Sequence, residues 1–285
     1  MKKNDWLFLI LFTVFYVFYL LMFKSDFVNY KFNPEVIESY KRSQDITGQV
    51  ENRTFISDSD IYLSAGYLYS KGENPIIYNF QHPPLIKYLF GFSIKLFNNP
   101  FIVQFIFGII FIYLTYFLGK KVFSSSIVSI VSVFLVFFDP IFQNQLEGAL
   151  LDIGQSVFGL GYVLSFLFLP GSIFVQGILL GLFVASKFWT AAIVIFGILN
   201  LYNFFILKKK IDYKNIIFCF LSIFVPNKEA KFIINETGQR IFHISAFMGL
   251  KSPHHLGNLP IRKRRIELPI TGAELWLIIN FKIFN

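Results

Sequence analysis

The stretch WLFLILFTVFYVFYLLMF, residues 6–23, decides the class of fold. It carries no charge, and an uncharged apolar run of roughly 18 residues or more is typical of a helix that crosses a bilayer. Lysines precede the run at positions 2 and 3, and no small-residue cleavage site follows it. We therefore predict an uncleaved transmembrane helix with its N-terminus in the cytoplasm rather than a signal peptide.

The composition of the whole chain supports a membrane protein. Its 285 residues are 55% hydrophobic and 20% aromatic, whereas a soluble domain has roughly 45–50% apolar residues. The single cysteine, Cys219, excludes an intrachain disulfide framework and any multi-cysteine metal site. The formal net charge of +9 would suggest nucleic acid as a partner of a soluble protein. Cytoplasmic loops of membrane proteins collect Lys and Arg, so we predict no nucleic-acid partner.

Further apolar runs predict an all-α, polytopic bundle of about seven transmembrane helices. A polar segment from Lys24 to about Pro83 separates them from the first run. Three runs are short for a span and cross a bilayer only if their ends extend or if they lie partly buried in protein. The six further runs are Phe101–Leu118, Ile127–Phe138, Leu150–Leu169, Ile173–Ala185, Phe188–Leu207 and Ile216–Val225. The short ones are the second, the fourth and the sixth of these.

The charges predict which ends of these helices share a side of the membrane. Lysine clusters at 2–3, 120–121 and 208–210 fall on one side, which the positive-inside rule assigns to the cytoplasm. The acids fall on the other side: Asp58, Asp60, Glu73, Asp139, Glu147 and Asp152. Lys187 is an exception, since it lies among the acids. We predict a multi-pass protein of the cell membrane with an acidic extracytoplasmic face.

The character of the chain changes near Pro226. Residues 226–285 contain no spanning run and little periodicity. We predict a membrane domain over 1–225 and a short polar tail over 226–285, either natural or the remnant of a truncated or frameshifted longer protein. The basic run at 261–265 is a solvated charge run or a contact for anionic lipid.

Two acids begin a predicted helix in the first external loop, residues 24–83. Asp58 and Asp60 precede the aromatic-rich stretch 61–70, which we predict to be helical. Ser57 or Asp58 can cap that helix. A cap needs only one acid, so the pair also suggests a catalytic base at the membrane surface. Both interpretations stay open from the residues alone.

A histidine stands before a stiff corner in NFQHPPLIKYLFG, residues 79–91. Pro83 and Pro84 lack N–H donors and restrict φ, so they make a rigid entry to the next helix. His82 either ends a loop by hydrogen bonding to the backbone or faces a site, where an imidazole can donate to a phosphate or a sugar.

Three more ionisable residues lie at predicted membrane boundaries. Glu147 and Asp152 flank the start of the run 150–169, where solvated helix ends are the simple interpretation. Their spacing of five is not that of one helix face, so they need not act together. Lys187 either extends to lipid headgroups or holds an anionic lipid phosphate.

In this order along residues 1–210, the motifs resemble the GT-C glycosyltransferases, which take a sugar from a polyprenyl phosphate carrier. Protein O-mannosyltransferases and aminoarabinose-transferase-like enzymes are the nearest look-alikes. The likeness covers an acid and a following aromatic in the first external loop, then HPPL, LLD, and GLxxxxK before aromatics. The matching residues are Asp58 with Tyr62, His82–Leu85, Leu150–Asp152, and Gly181–Lys187 with Phe188 and Trp189.

The chain departs from the family pattern at two places. The family's acidic pair is usually Asp-Glu, and here it is Asp58-Ser59-Asp60. An Arg commonly precedes the LLD motif, and here Glu147 stands before it. By its spacing to Tyr62, Asp58 matches the family's base, with Asp60 taking the second role or replacing it.

The resemblance implies an inverting transfer of a mannose-like hexose to an acceptor hydroxyl on a protein, lipid or glycan. Asp58 would act as general base, and Lys187 with His82 would support the departing lipid phosphate. It also implies a helical first external loop of GT-C type and no cofactor except a divalent cation at residues 58–60. Tyr62, Glu147 and Asp152 are further candidate site residues.

Two alternative functions stay open. A multi-pass transporter or flippase subunit would place ionisable residues near mid-bilayer, whereas the acids of this chain gather near one face. An inactive fragment of the same glycosyltransferase family would account for the change of character after Pro226.

Overall fold

A computed structural model describes residues 3–44, 55–75, 78–79 and 82–208, and every regular element in these ranges is a helix. The predicted all-α class is confirmed for this part of the chain. The seventh apolar run at 216–225, the boundary at 225/226, the basic run at 261–265 and Cys219 lie outside the described residues.

The described residues form eleven α-helices, and a π-helical turn at Tyr202–Ile206 continues the last of them. In chain order they are α1 Lys3–Phe23, α2 Ser25–Val28, α3 Val36–Gln44, α4 Asp58–Ser70, α5 Leu85–Phe97, α6 Phe101–Phe123, α7 Ser126–Phe137, α8 Pro140–Glu147, α9 Asp152–Phe168, α10 Ile173–Ser186 and α11 Trp189–Leu201.

Three helical stretches are long and apolar enough to cross a membrane: α1, α6 and Trp189–Ile206. The helices α7 and α8 pass the same test together but are bent by 57° at the break between them, so the described residues hold three or four candidate spans. The apolar helices α9 and α10 are shorter. These helices indicate a membrane-associated protein, while the count of about seven spans stays a prediction.

The break between α7 and α8 has a local cause. Pro140 occupies the first turn of α8, where a missing N–H costs nothing, but it cannot continue α7. Asp139 caps α8, because its carboxylate accepts hydrogen bonds from the backbone N–H groups of Ile141 (2.7 Å) and Phe142 (3.4 Å). One of the predicted external acids therefore has a structural role.

Charged contacts distinguish the two ends of the bundle. At one end, the carboxylate of Asp5 in α1 accepts from the hydroxyl groups of Tyr116 (2.7 Å) and Ser126 (2.8 Å) and lies 3.5 Å from the ammonium of Lys120. At the other end, Lys24 pairs with Glu147. Lys120 and Glu147 thus lie at opposite ends, as the charge pattern predicts.

Two glycines set the close approach of α4 and α5. A Cβ on Gly91 would collide with the backbone oxygen of Gly66, and a Cβ on Gly66 would collide with the backbone oxygen of Lys87. A third glycine, Gly154 in α9, faces Ile86 of α5, and a Cβ there would lie 2.5 Å from the Ile86 Cδ1 atom. The starts of α5 and α9 are therefore neighbours.

Candidate functional site

The N-terminus of α4 holds the two predicted catalytic acids in different roles. The Ser57 Oγ atom accepts a hydrogen bond from the backbone N–H of Asp60 (3.2 Å) and donates one to the Asp60 Oδ2 atom (2.8 Å). This reciprocal arrangement is a helix cap, so Ser57 is the capping residue and Asp60 completes the cap. The helix begins at Asp58, three residues before the predicted start.

Asp58 faces a different neighbourhood from Asp60. Its side chain is exposed, and no hydrogen bond or ion pair joins it to another described residue. Burial, then the charge of Asp58, then the charge of Asp152, raise the pKa of the Tyr62 hydroxyl to about 12. The charge of Asp60 acts instead on Tyr30, whose pKa is raised mainly by burial. Of the two acids, Asp58 is the one whose charge acts on Tyr62 and His82.

His82 lies between two aromatic rings. Its ring centroid is 5.7 Å from that of Tyr62 and 5.4 Å from that of Phe188, both in edge-on geometry. The Nδ1 atom is buried and has no hydrogen-bond partner among the described residues. Burial, with the positive charges of Lys87 and Lys187, lowers the pKa of His82 to about 4 against the pull of Asp58 and Asp152. The imidazole is therefore neutral at neutral pH and holds one donor and one acceptor.

Asp152 and Lys187 form an ion pair beside this histidine. The Lys187 Nζ atom donates to the Asp152 Oδ1 atom at 2.6 Å, and the side chains are 16% and 44% exposed respectively. Asp152 opens α9, where a carboxylate is stabilised by the positive end of the helix dipole. Lys187 lies in the break between α10 and α11, with its ammonium 5.0 Å from the Phe188 ring centroid.

We name the group of Asp58, Tyr62, His82, Asp152 and Lys187 the His82 cluster. Contacts and electrostatic interactions link all five, although they span 130 positions of the chain. Two predicted residues lie elsewhere. Asp60 belongs to the α4 cap, and Glu147 pairs with Lys24 at the end of α1.

Three buried polar side chains that sequence reasoning missed support the cluster. The Lys87 ammonium donates to the His82 carbonyl oxygen (2.7 Å). The Gln155 amide donates to the Phe188 carbonyl oxygen (3.0 Å), next to Lys187. The Gln104 amide donates to the carbonyl oxygens of Gly148 (2.5 Å) and Leu150 (2.9 Å), just before Asp152. A polar side chain inside an apolar helix was the available signal, because such groups need a partner when buried.

A fourth contact joins the first external loop to the segment before α9. The backbone N–H of Ala149 donates to the Ser59 Oγ atom at 3.0 Å. Ser59 stands between the two acids of the loop, and Ala149 stands three residues before Asp152. This bond therefore holds the start of α4, with Asp58, next to the start of α9.

The cluster offers an exposed carboxylate, a neutral imidazole and a paired ammonium at the end of an apolar bundle. Such groups can accept a proton from a hydroxyl and donate hydrogen bonds to an anion. Within the described ranges, no group of three or more His, Cys, Asp or Glu side chains is arranged to hold a metal ion. The divalent cation at residues 58–60 stays a prediction, and His243, His254 and His255 lie outside the described residues.

No protein-family model, curated protein or solved structure significantly matches the chain.

Proposed function

We propose that the protein is a membrane glycosyltransferase that moves a sugar, a mannose-like hexose, from a polyprenyl phosphate carrier to an acceptor hydroxyl. The observation that carries the proposal is the convergence of the His82 cluster. Its five residues are those that match the family motifs in the sequence, and a likeness of short motifs alone does not require them to meet in space. Their meeting supports a common site for donor and acceptor.

Asp58 is the general base in this proposal. It is the carboxylate of the cluster that has neither an ion pair nor a hydrogen bond to the described residues. A base must come within roughly 2.6–3.2 Å of the hydroxyl that it deprotonates, and the exposure of Asp58 leaves room for an acceptor. The activated oxygen attacks the anomeric carbon from the face opposite the lipid phosphate, which departs with the bonding electrons, so the centre inverts.

Lys187 and His82 hold the lipid phosphate as it departs. The Lys187 ammonium is mostly buried, whereas its partner Asp152 is 44% exposed. Asp152 can therefore be solvated by water when a phosphate oxygen takes its place on Lys187. The neutral imidazole of His82, which carries one N–H donor, supplies a further polar contact. Donors placed where negative charge develops are the main source of catalysis in such transfers.

The proposal includes a topology. In it, the helices α9 and α10 cross the membrane with the longer candidate spans. The apolar run at 216–225, which lies outside the described residues, is one more span predicted from the sequence, which makes about seven. The His82 cluster then lies at the extracytoplasmic surface of the cell membrane, because the lysines at 120–121 take the cytoplasmic side under the positive-inside rule. The acceptor is a protein, lipid or glycan hydroxyl on that face.

The test is transfer of radiolabelled sugar from a panel of polyprenyl phosphate donors in membranes that contain the full chain. We expect transfer by the wild type and a loss of about 10²–10⁴-fold in Asp58→Asn, the range for removal of a general base. The matched control is Asp60→Asn, since the same substitution two residues away changes the α4 cap and the charge near Tyr30, both outside the His82 cluster, and it should retain transfer within a few-fold.

Two results would contradict the proposal. One is the absence of transfer by a stably expressed wild type with every donor, compared with membranes that lack the chain. The other is equal transfer by Asp58→Asn and the wild type.

A further inference from the structure

We propose that Lys87 is a positioning residue for His82: its buried ammonium holds the corner formed by residues 78–79 and 82–84, so that the imidazole stays between Tyr62 and Phe188. No motif match assigned a role to Lys87. It lies in the first turn of α5, one turn beyond the Pro83-Pro84 corner, and its side chain is fully buried.

The acceptors around Lys87 match an ammonium in number. The Nζ atom donates to the Asn79 carbonyl oxygen (2.7 Å), the Asn79 Oδ1 atom (2.9 Å) and the His82 carbonyl oxygen (2.7 Å). An ammonium has three N–H donors, one for each oxygen. A neutral amine has two, and would leave one acceptor unpaired. The arrangement therefore depends on the charged form and not only on the bulk of the side chain.

The cost of burying this charge indicates that its position matters. A buried cation is normally paired with a carboxylate, and the contacts found for Lys87 in the described part of the chain are neutral oxygens and the face of the Tyr69 ring, 5.6 Å away. An apolar side chain of the same length would fill the space between α4 and α5 without that cost. Such a side chain would not link α5 to Asn79 and His82, which lie in the two parts of the corner.

The link is made at a sharp turn of the backbone. Asn79 has φ +50°, in the left-handed region that asparagine adopts more readily than other non-glycine residues. Lys87 binds both oxygens of this residue, and the Tyr69 hydroxyl donates to the carbonyl oxygen of the preceding Tyr78 (2.5 Å). The positive charge of Lys87 also helps to lower the pKa of His82. Lys87 thus acts on both the position and the protonation of the imidazole.

The consequence for donor binding rests on the proposed function, whereas the local claim does not. The experiment is therefore hydrogen exchange, measured by mass spectrometry on the full chain in detergent, for the peptide covering residues 78–86. Lys87→Met keeps the length of the side chain and removes its donors. The matched control is Lys95→Met, which makes the same change at an exposed position of α5. Measurements at pH 6 keep Lys87 charged, because burial lowers its pKa to about 7.

We expect exchange in this peptide to rise at least tenfold in Lys87→Met, with no change in peptides from α6 and no change in Lys95→Met. Asn79→Gly removes one acceptor at a φ that glycine tolerates, and should give a smaller rise in the same peptide. This second variant decides the question if Lys87→Met does not fold. Unchanged exchange in the variants that fold would overturn the proposal.

Transfer assays separate this proposal from the function proposed above. If the wild type transfers sugar, Lys87→Met should raise the KM for the donor at least tenfold with a smaller loss of kcat, because the imidazole is misplaced rather than removed. A loss confined to kcat would contradict a positioning role. If the wild type transfers nothing, the proposed function fails, and the exchange result still decides whether Lys87 holds the corner.

Discussion

The two ends of the bundle treat their charged groups in opposite ways. At one end, the Asp5 carboxylate is 2% exposed and has Tyr116, Ser126 and Lys120 as partners. At the other end, Asp58 is exposed without a hydrogen bond or ion pair to the described residues, and the Nδ1 atom of His82 is buried without a partner among them. The Asp5 carboxylate has hydrogen-bond and ion-pair partners within the protein, whereas the carboxylate of Asp58 remains available to bind a ligand.

This difference separates a structural polar network from a candidate site. A buried polar group without a partner destabilises a fold, so its presence calls for an explanation outside stability. The buried Asp5 carboxylate needs no such explanation, because its partners on α6 and α7 join these helices to α1. The opposite end holds Asp58 and His82, which match the family motifs, and the charge of Asp58 acts on the pKa of His82.

After Asp58→Asn, the largest effect at the His82 cluster is expected from Lys187→Met. We expect kcat/KM for the lipid-phosphate donor to fall by about 10²–10³-fold, the range for loss of one donor to a developing negative charge. The apparent melting temperature in detergent should change little, since water can solvate the half-exposed Asp152. Initial rates over a range of donor concentrations measure the first quantity, and circular dichroism measures the second. A large drop in melting temperature would make the ion pair structural and remove the contrast between the ends.

Asp5→Asn tests the opposite end. It removes the charge that three neighbours share, and leaving buried polar partners unsatisfied costs about 1–3 kcal/mol. We expect a lower melting temperature together with an unchanged rate of transfer per folded molecule. A loss of transfer at unchanged stability would contradict the assignment of this network to structure alone.

Near neutral pH the smallest effect is a dependence of stability on pH that belongs to His82, because it develops only below about pH 6.5. Its pKa is about 4 in the folded protein and ordinarily about 6.5. As pH falls from about 6.5 to about 4, the unfolded chain takes up the proton and the folded protein does not, so folding stability decreases over that window and is level above it. His82→Gln should flatten this part of the profile of melting temperature against pH. Identical slopes in the two proteins would show that His82 is not held neutral.

Much of the helical structure was predictable because its signals are local. The apolar run at 6–23 becomes α1, and the stretch 61–70 is helical as predicted, with Ser57 as its cap. The predicted run 127–138 ends within one residue of the end of α7, whereas the short helix α8 that begins at Pro140 was not predicted. The predicted run 188–207 begins as helix one residue later, at Trp189, because Lys187 and Phe188 lie in a break between helices.

The partners of the charged residues were harder to predict. Asp58 and Asp60 look equivalent in the sequence, yet the turn of a helix directs one to its own cap and the other to the cluster. The spacing of Glu147 from Asp152 indicated only that the two need not act together, and the partner that Glu147 has in the structure, Lys24, was not predicted. Lys87 has no recognisable pattern around it, and its role follows only from the oxygens that surround it. Such choices depend on which helices pack together, not on the spacing of residues.

The sequence by itself determined that this is a helical, membrane-associated protein and which ionisable residues are candidates for chemistry. Apolar length, helix caps and charge bias act over a few residues, so they can be read from the chain. Only the tertiary structure decided that Asp58, His82, Asp152 and Lys187 meet, and that Asp60 and Glu147 do not join them. The reason is steric: Gly66, Gly91 and Gly154 let α4, α5 and α9 approach closely, and that contact joins residues distant in the chain.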